Sequence, residues 1–253
     1  MPVPLLELVR HIDQLLDVAR FRDYCPNGLQ VEGRAEVHCL VSGVTACQAL
    51  LEAAVEQRAD AILVHHGYFW RGEAEPVVGM KRRRLATLLA HDISLLAYHL
   101  PLDAHPDLGN NARLGALLGM IDVQPLDPGD AAAVGNIGRL PALRTVGELL
   151  DDIAQFTGRR PLHVGNPAQS VRRIAWCTGA AQSYIGQAVA AGADLFLTGE
   201  VSEPTVHIAR EEGIHFVAAG HHATERYGVQ ALGEHLAAEF GLEHRFIDID
   251  NPV

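Results

Sequence analysis

Basic charge is scarce in this sequence of 253 residues: Lys81 is its only lysine, and 31 acidic residues against 20 basic ones leave a formal net charge of -11. A chain that grips nucleic acid or an anionic membrane surface carries a basic footprint, so both partner classes are excluded as general ligands. Cysteine is equally sparse. Cys25, Cys39, Cys47 and Cys177 form no C-x-x-C pair, which excludes a thiolate metal knuckle and suits reduced thiols in the cytoplasm. No apolar run approaches the length of about 20 residues that crosses a bilayer. The first residues lack a charged-then-apolar leader, and Leu5, Leu8, Ile12 and Leu15 recur at helical spacing instead. No G-x-x-x-x-G-K phosphate loop occurs.

What is present is the material of an ordinary globular α/β protein, 48% hydrophobic and 20% charged. Apolar runs ending near glycine alternate with longer helical stretches, the signature of sheets covered by helices. Strands are expected at 39–44, 61–64 and 94–98, with helices at 47–57 and 82–91 between them. The pattern returns with strands at 173–177, 195–198 and 214–218 and a closing helix at 223–240.

The two halves share side chains as well as pattern. Gln48, Val55, Ala59 and Asp60 match Gln182, Val189, Ala193 and Asp194 at a constant offset of 134, and His99 and Asp103 match His221 and Glu225 at an offset of 122. Repeat one then carries 12 extra residues, which fall in the irregular excursion Gly67 to Met80. Coincidence in alanine-rich sequence is the alternative. The fold class expected is therefore α/β, with two similar, internally duplicated α/β domains whose helices flank central sheets. The first half, 1–125, carries His65, His66 and Asp103; the second, 126–253, carries His221 and Glu225. Whether the halves intertwine is open. Gln124 to Pro141, rich in Pro, Gly, Asp and Ala, is expected to be the junction, and Thr145 to cap a helix that Gly158 stops.

Imidazoles and carboxylates gather at predicted strand ends, where α/β proteins build their sites. His65 and His66 close the run Ala61-Ile62-Leu63-Val64. Neighbouring strand residues point opposite ways, so using both requires a bend at Gly67 or two metal ions a few ångströms apart. His221 and Glu225, four apart at a helix start, share a face. Asp103 holds the matching place in the first repeat. Such donors suit Zn, Fe, Mn, Co or Ni. His65, His66, Asp103, His221 and Glu225 are thus the candidate ligands of two divalent metal ions, with polar strand ends and helix capping as the plain alternatives.

Two further residues are candidates for catalysis: His99 as an orienting group or proton donor, and Glu200, which matches His66 at the offset of 134, as a base. A core histidine and a helix-terminal charge are their structural alternatives. Tyr68, Phe69 and Trp70 are expected to pack, Lys81 to Arg84 to form a solvated helix face, Asn110 and Asn111 to cap the next helix, and Asn27-Gly28 to turn the chain.

The segments Tyr24-Cys-Pro-Asn-Gly-Leu-Gln-Val-Glu-Gly33, His65-His-Gly-Tyr-Phe-Trp70, His99-Leu-Pro-Leu-Asp-Ala-His105, Thr198-Gly-Glu-Val-Ser202 and Gly220-His-His-Ala-Thr-Glu-Arg226 resemble those of the YbgI-like, Ngg-interacting-factor-three family, nearly end to end. The resemblance implies two similar α/β domains, a dinuclear metal centre, a ring-shaped homohexamer and the GTP cyclohydrolase 1 type 2 label. It also implies the ligand division: His65, Asp103 and Glu225 on one ion, His66, His221 and Glu225 on the other. The larger inserted domain of some relatives is absent. The function expected is metal-dependent hydrolysis of a small molecule, a nucleotide or related substrate. A metal-binding assembly or regulatory protein without turnover, and a two-metal phosphoesterase, are the alternatives.

Overall fold

The computed structural model describes residues 2–253. The chain divides into two units: unit 1 takes the residues up to Leu102 together with Gly228–Asp250, and unit 2 takes Asp103–Tyr227 with Asn251–Val253.

Unit 1 is organised by a five-stranded sheet in the order Glu243–Phe246, Cys39–Thr45, Ala61–His66, Ser94–Ala97, Gly28–Val31. The first four strands are parallel and the last is antiparallel. Cys39–Thr45 and Ala61–His66 are buried nearly throughout, as central parallel strands must be when helices cover both faces. Helices Gln48–Glu56 and Gly79–Ala90 make the crossovers, and Val41, Leu50, Ile62, Leu88 and Leu95 form the core between helices and sheet.

Unit 2 carries a six-stranded sheet in the order Ile121–Pro125, Asn136–Thr145, Ser170–Trp176, Leu195–Thr198, His215–Ala218, Leu162–Val164. Its three central members in chain order, Ser170–Trp176, Leu195–Thr198 and His215–Ala218, are parallel, and the flanking strands are antiparallel. The fully buried Trp176 seats against Gly115, where a Cβ would lie 2.6 Å from the indole. The capping box at Thr145 and Glu148 starts the helix Val146–Thr157, and Gly158 in the left-handed region (φ 74°) ends it, as expected.

Duplication is visible inside each unit. Asp60 accepts the backbone N–H groups of His38 (2.8 Å) and Cys39 (3.0 Å), and Asp194 accepts those of Arg172 (2.9 Å) and Arg173 (2.8 Å). All three positions are related by the same 134 residues. Each aspartate ties the entrance of one parallel strand to that of the next.

Register corrects the second offset. Tyr98 N–H donates to Val64 O (3.0 Å) and Ala219 N–H to Thr198 O (2.8 Å), so Ala219 follows its counterpart Tyr98 by 121 residues. His99 therefore corresponds to Gly220, and the excess in repeat one is 13 residues. The region expected to be a patternless junction is a hairpin of Ile121–Pro125 and the ten-residue strand Asn136–Thr145. Pro141 is tolerated there because it falls in the register shift opposite Val171/Arg173, where no ladder bond is required of it.

Candidate metal centre

In unit 1, His65 and His66 are the last two residues of the strand Ala61–His66. Alternation should splay them, yet their ring centroids are 4.5 Å apart. One ring nitrogen each of His65, His66 and His99 lies within 4.8 Å of the others. The ladder ends at the pair Thr45↔His66, and Gly67 follows, where a Cβ would run into the Gln30 side chain and Ala97. Only glycine allows the chain to leave the sheet that closely packed.

Each imidazole is held through Nδ1. That of His65 donates to Tyr98 O (2.9 Å), and that of His66 meets Thr45 Oγ1 (3.1 Å). A proton fixed on Nδ1 puts the lone pair on Nε2, the arrangement in which histidine serves as a metal ligand. His99 is held the same way by Asp23 (Nδ1 to Oδ1, 2.7 Å). Burial alone would raise the Asp23 carboxyl, but the hydrogen bond and charge of His99, with donors on Asn27 and Leu100, outweigh it and bring it down to about 2. Trp70 lies edge-on to His99, ring centroids 5.0 Å apart. Tyr68 packs in the core with its hydroxyl on Ala46 O, as expected, whereas Phe69 is exposed.

In unit 2, His221 and Glu225 open the helix His221–Phe240 and touch at 3.0 Å (Nε2 to Oε2). His221 Nδ1 is bonded to Glu200 Oε1 (2.7 Å). Burial disfavours its charged form, but hydrogen bonds and charges of Glu225 and Glu200 prevail and push His221 up to about 9. Asp103 is buried, accepts from Asn110 Nδ2 (2.8 Å) and Thr178 Oγ1 (3.3 Å), and offers an oxygen within 4.8 Å of one on Glu225, itself 3% exposed. Two buried carboxylates that close repel each other unless a proton or a positive charge stands between them, and a divalent cation is one such charge. Gly179, at φ 68°, makes room: a Cβ there would collide with Glu225 Oε1 and lie 3.3 Å from His221 Nε2.

Four residues were not singled out from the sequence: Asp23, Thr45, Thr178 and Gly179. The last was within reach, since it stands 134 residues after Thr45 just as Glu200 stands 134 after His66. Asn110 and Asn111 do not cap a helix. Gly109 is the cap residue, and both asparagines turn inward, Asn110 to Asp103 and Asn111 to Thr178 N–H (3.0 Å) and Asp103 O. The cysteines are free. Burial and the neighbouring Asp23 push the Cys25 thiol up to about 12, which disfavours its thiolate where it lies near Asp23 and His99.

The profile of the Duf34/NIF3 (NGG1p interacting factor 3) family matches residues 3–252. The chain belongs to the DUF34/NIF3 family. A Pseudomonas aeruginosa protein of this family, named GTP cyclohydrolase 1 type 2 homolog, is 60% identical over 253 residues, covering 100% of both chains. A Yersinia pestis protein of the same name is 55% identical over 249 residues, 98% of this chain and 99% of its own. Among solved structures, the protein ybgI superposes with a TM-score of 0.94 at 52% identity, covering 99% of this chain and 100% of ybgI. A Thermus thermophilus protein, TTHA1606, superposes with a TM-score of 0.90 at 37% identity, covering 99% and 100%. Among the described residues no helix is long and apolar enough to cross a membrane.

Proposed function

We propose that this DUF34/NIF3 protein is a metal-dependent hydrolase with a dinuclear centre, in which His65, Asp103 and Glu225 hold one divalent ion and His66, His221 and Glu225 the other. The observation that carries the reading is the shared tethering of three histidines. His65, His66 and His221 are each held at Nδ1, by Tyr98 O, Thr45 Oγ1 and Glu200 Oε1, so that each presents Nε2. The buried Asp103–Glu225 pair adds the charge such ions would neutralise.

Bound divalent ions supply Lewis acidity and a lowered water pKa, the basis of two-metal hydrolysis. The chain's own residues supply orientation and proton transfer. Glu200 fixes the ring of His221 and would take a proton at its carboxylate, while Asp23 fixes His99, whose doubly protonated form would deliver one from Nε2 to a leaving group. Trp70 packs edge-on against the His99 ring. The relatives' name points to a guanine nucleotide, and a nucleotide or related small molecule is the proposed substrate. A cytoplasmic homohexamer is the assembly proposed from the same resemblance, which light scattering would check.

The test is turnover by pure protein with excess Zn, Mn, Fe, Co or Ni. Release of product from GTP or a related nucleotide, abolished by Glu225→Ala, supports the reading. Activity that survives the substitution overturns it, and retained metal with no turnover across a nucleotide panel favours a non-catalytic role.

A further inference from the structure

Unit 2 opens into a pocket of about 540 Å³ beside the C-terminal ends of the parallel strands Leu195–Thr198 and His215–Ala218, its walls including Arg159, Arg160, Leu162, Gly199, Glu200 and Gly220. Pockets of this size hold a small ligand rather than a macromolecule, and strand ends of this kind are where α/β sheets bind them. Its charge is divided. Arg159 and Arg160 stand together in the turn between the helix Val146–Thr157 and the strand Leu162–Val164, while Glu200 is the one acidic side chain of the lining.

Arg159 is positioned rather than merely present. Its Nη1 donates to Pro252 O (2.6 Å), and its stem lies directly over Gly220, where a Cβ would come within 2.7 Å of Nη1 and 2.9 Å of Cδ. Any other residue at 220 would push the guanidinium away. Glu200 ties the pocket to the candidate centre, since its Oε1 bonds Nδ1 of His221.

From this arrangement we infer that the pocket binds a phosphate ester, with Arg159 and Arg160 on the phosphoryl group and the rest of the molecule reaching toward Glu200 and His221. A guanidinium presents a planar fork that pairs with two oxygens, so one arginine satisfies a carboxylate, whereas two arginines lining one pocket match a phosphoryl group with its additional oxygens. The identity of the reacting end rests on the hydrolase reading; the anion-binding end does not.

Titration calorimetry with GMP, guanosine and succinate, on the full chain and on Arg159→Ala and Arg160→Ala, tests the inference. GMP should bind, each substitution should weaken it by roughly tenfold or more, guanosine binding should be the same in all three proteins, and succinate should bind more weakly than GMP. Arg160 is exposed and accepts substitution without loss of packing, so Arg160→Ala keeps the test decisive if Arg159→Ala disturbs folding. GMP binding that ignores both substitutions, succinate binding as tight as GMP, or no GMP binding at all would overturn it. Arginine-dependent GMP binding by a protein that takes up no metal would support the pocket and overturn the hydrolase reading; two bound metals with arginine-independent GMP binding would overturn the pocket alone.

Discussion

Glu200 Oε1 lies 2.7 Å from Nδ1 of His221, while the other ring nitrogen of that histidine meets Glu225 at 3.0 Å. One imidazole is thus clamped between two carboxylates, the first orienting it and the second sharing its task. A carboxylate on the far nitrogen raises the basicity of a metal-bound histidine, and such outer partners typically account for about 10- to 100-fold in metal affinity. Glu200→Gln is expected to weaken metal binding by that factor with an unchanged fold, measured by competition against a chromogenic chelator. Unaltered affinity would remove Glu200 from the centre.

Gly179 is expected to be intolerant. Its φ of 68° is unfavourable for any side chain, and a Cβ would collide with Glu225. Gly179→Ala should displace that carboxylate, costing about 1–3 kcal/mol of stability through the backbone alone and lowering metal uptake as strongly as Glu225→Ala. Retention of wild-type metal content in Gly179→Ala would show that the carboxylate is placed by other means.

Stability in acid should report on Asp23. Its folded-state carboxyl is held at about 2 against an ordinary 3.8, a depressed value, so its contribution is present above pH 3.8 and is lost as pH falls toward 2. Asp23→Asn should cost about 2 kcal/mol at most near neutral pH, and the gap to wild type should close between pH 4 and pH 2 in urea melts. A gap that stays constant across this window would mean that the His99 partnership contributes no charge-dependent stability.

The parallel strands were legible in the sequence because they are buried on both faces and are followed directly by glycine, as Ala61–His66 and Leu195–Thr198 illustrate. The Asp60/Asp194 match was legible for a stronger reason: a side chain that ties two strand entrances recurs only where the same geometry recurs. What escaped was set by contacts distant in sequence. Asp23 meets His99 across 76 residues, and no local pattern announces it. Asn110 and Asn111 follow glycine at a helix start, the position of a cap, but burial turns both toward Asp103 and Thr178. Asn136–Thr145 was hidden by Pro141 and Gly138, which a bulged strand accommodates. The offset of 122 was one residue off because the repeats differ at the turn after the third strand, where an alignment of histidines and a register of hydrogen bonds disagree.

Metal should stabilise the fold by mass action. A ligand at roughly 100 times its Kd contributes about 2.7 kcal/mol, which in a chain of this size raises Tm by several degrees. Wild-type protein should show this shift on adding metal after chelation and lose it again with chelator, whereas Glu225→Ala should melt at one temperature throughout. Equal shifts in both proteins would place the bound metal elsewhere.

The most direct test of the account is the number and position of metal ions, read by elemental analysis and anomalous diffraction at the metal edges on protein purified without chelator. Two ions per chain are predicted, one against His65, Asp103 and Glu225 and the other against His66, His221 and Glu225, with Glu225 shared. A single ion per chain, or none, would contradict it.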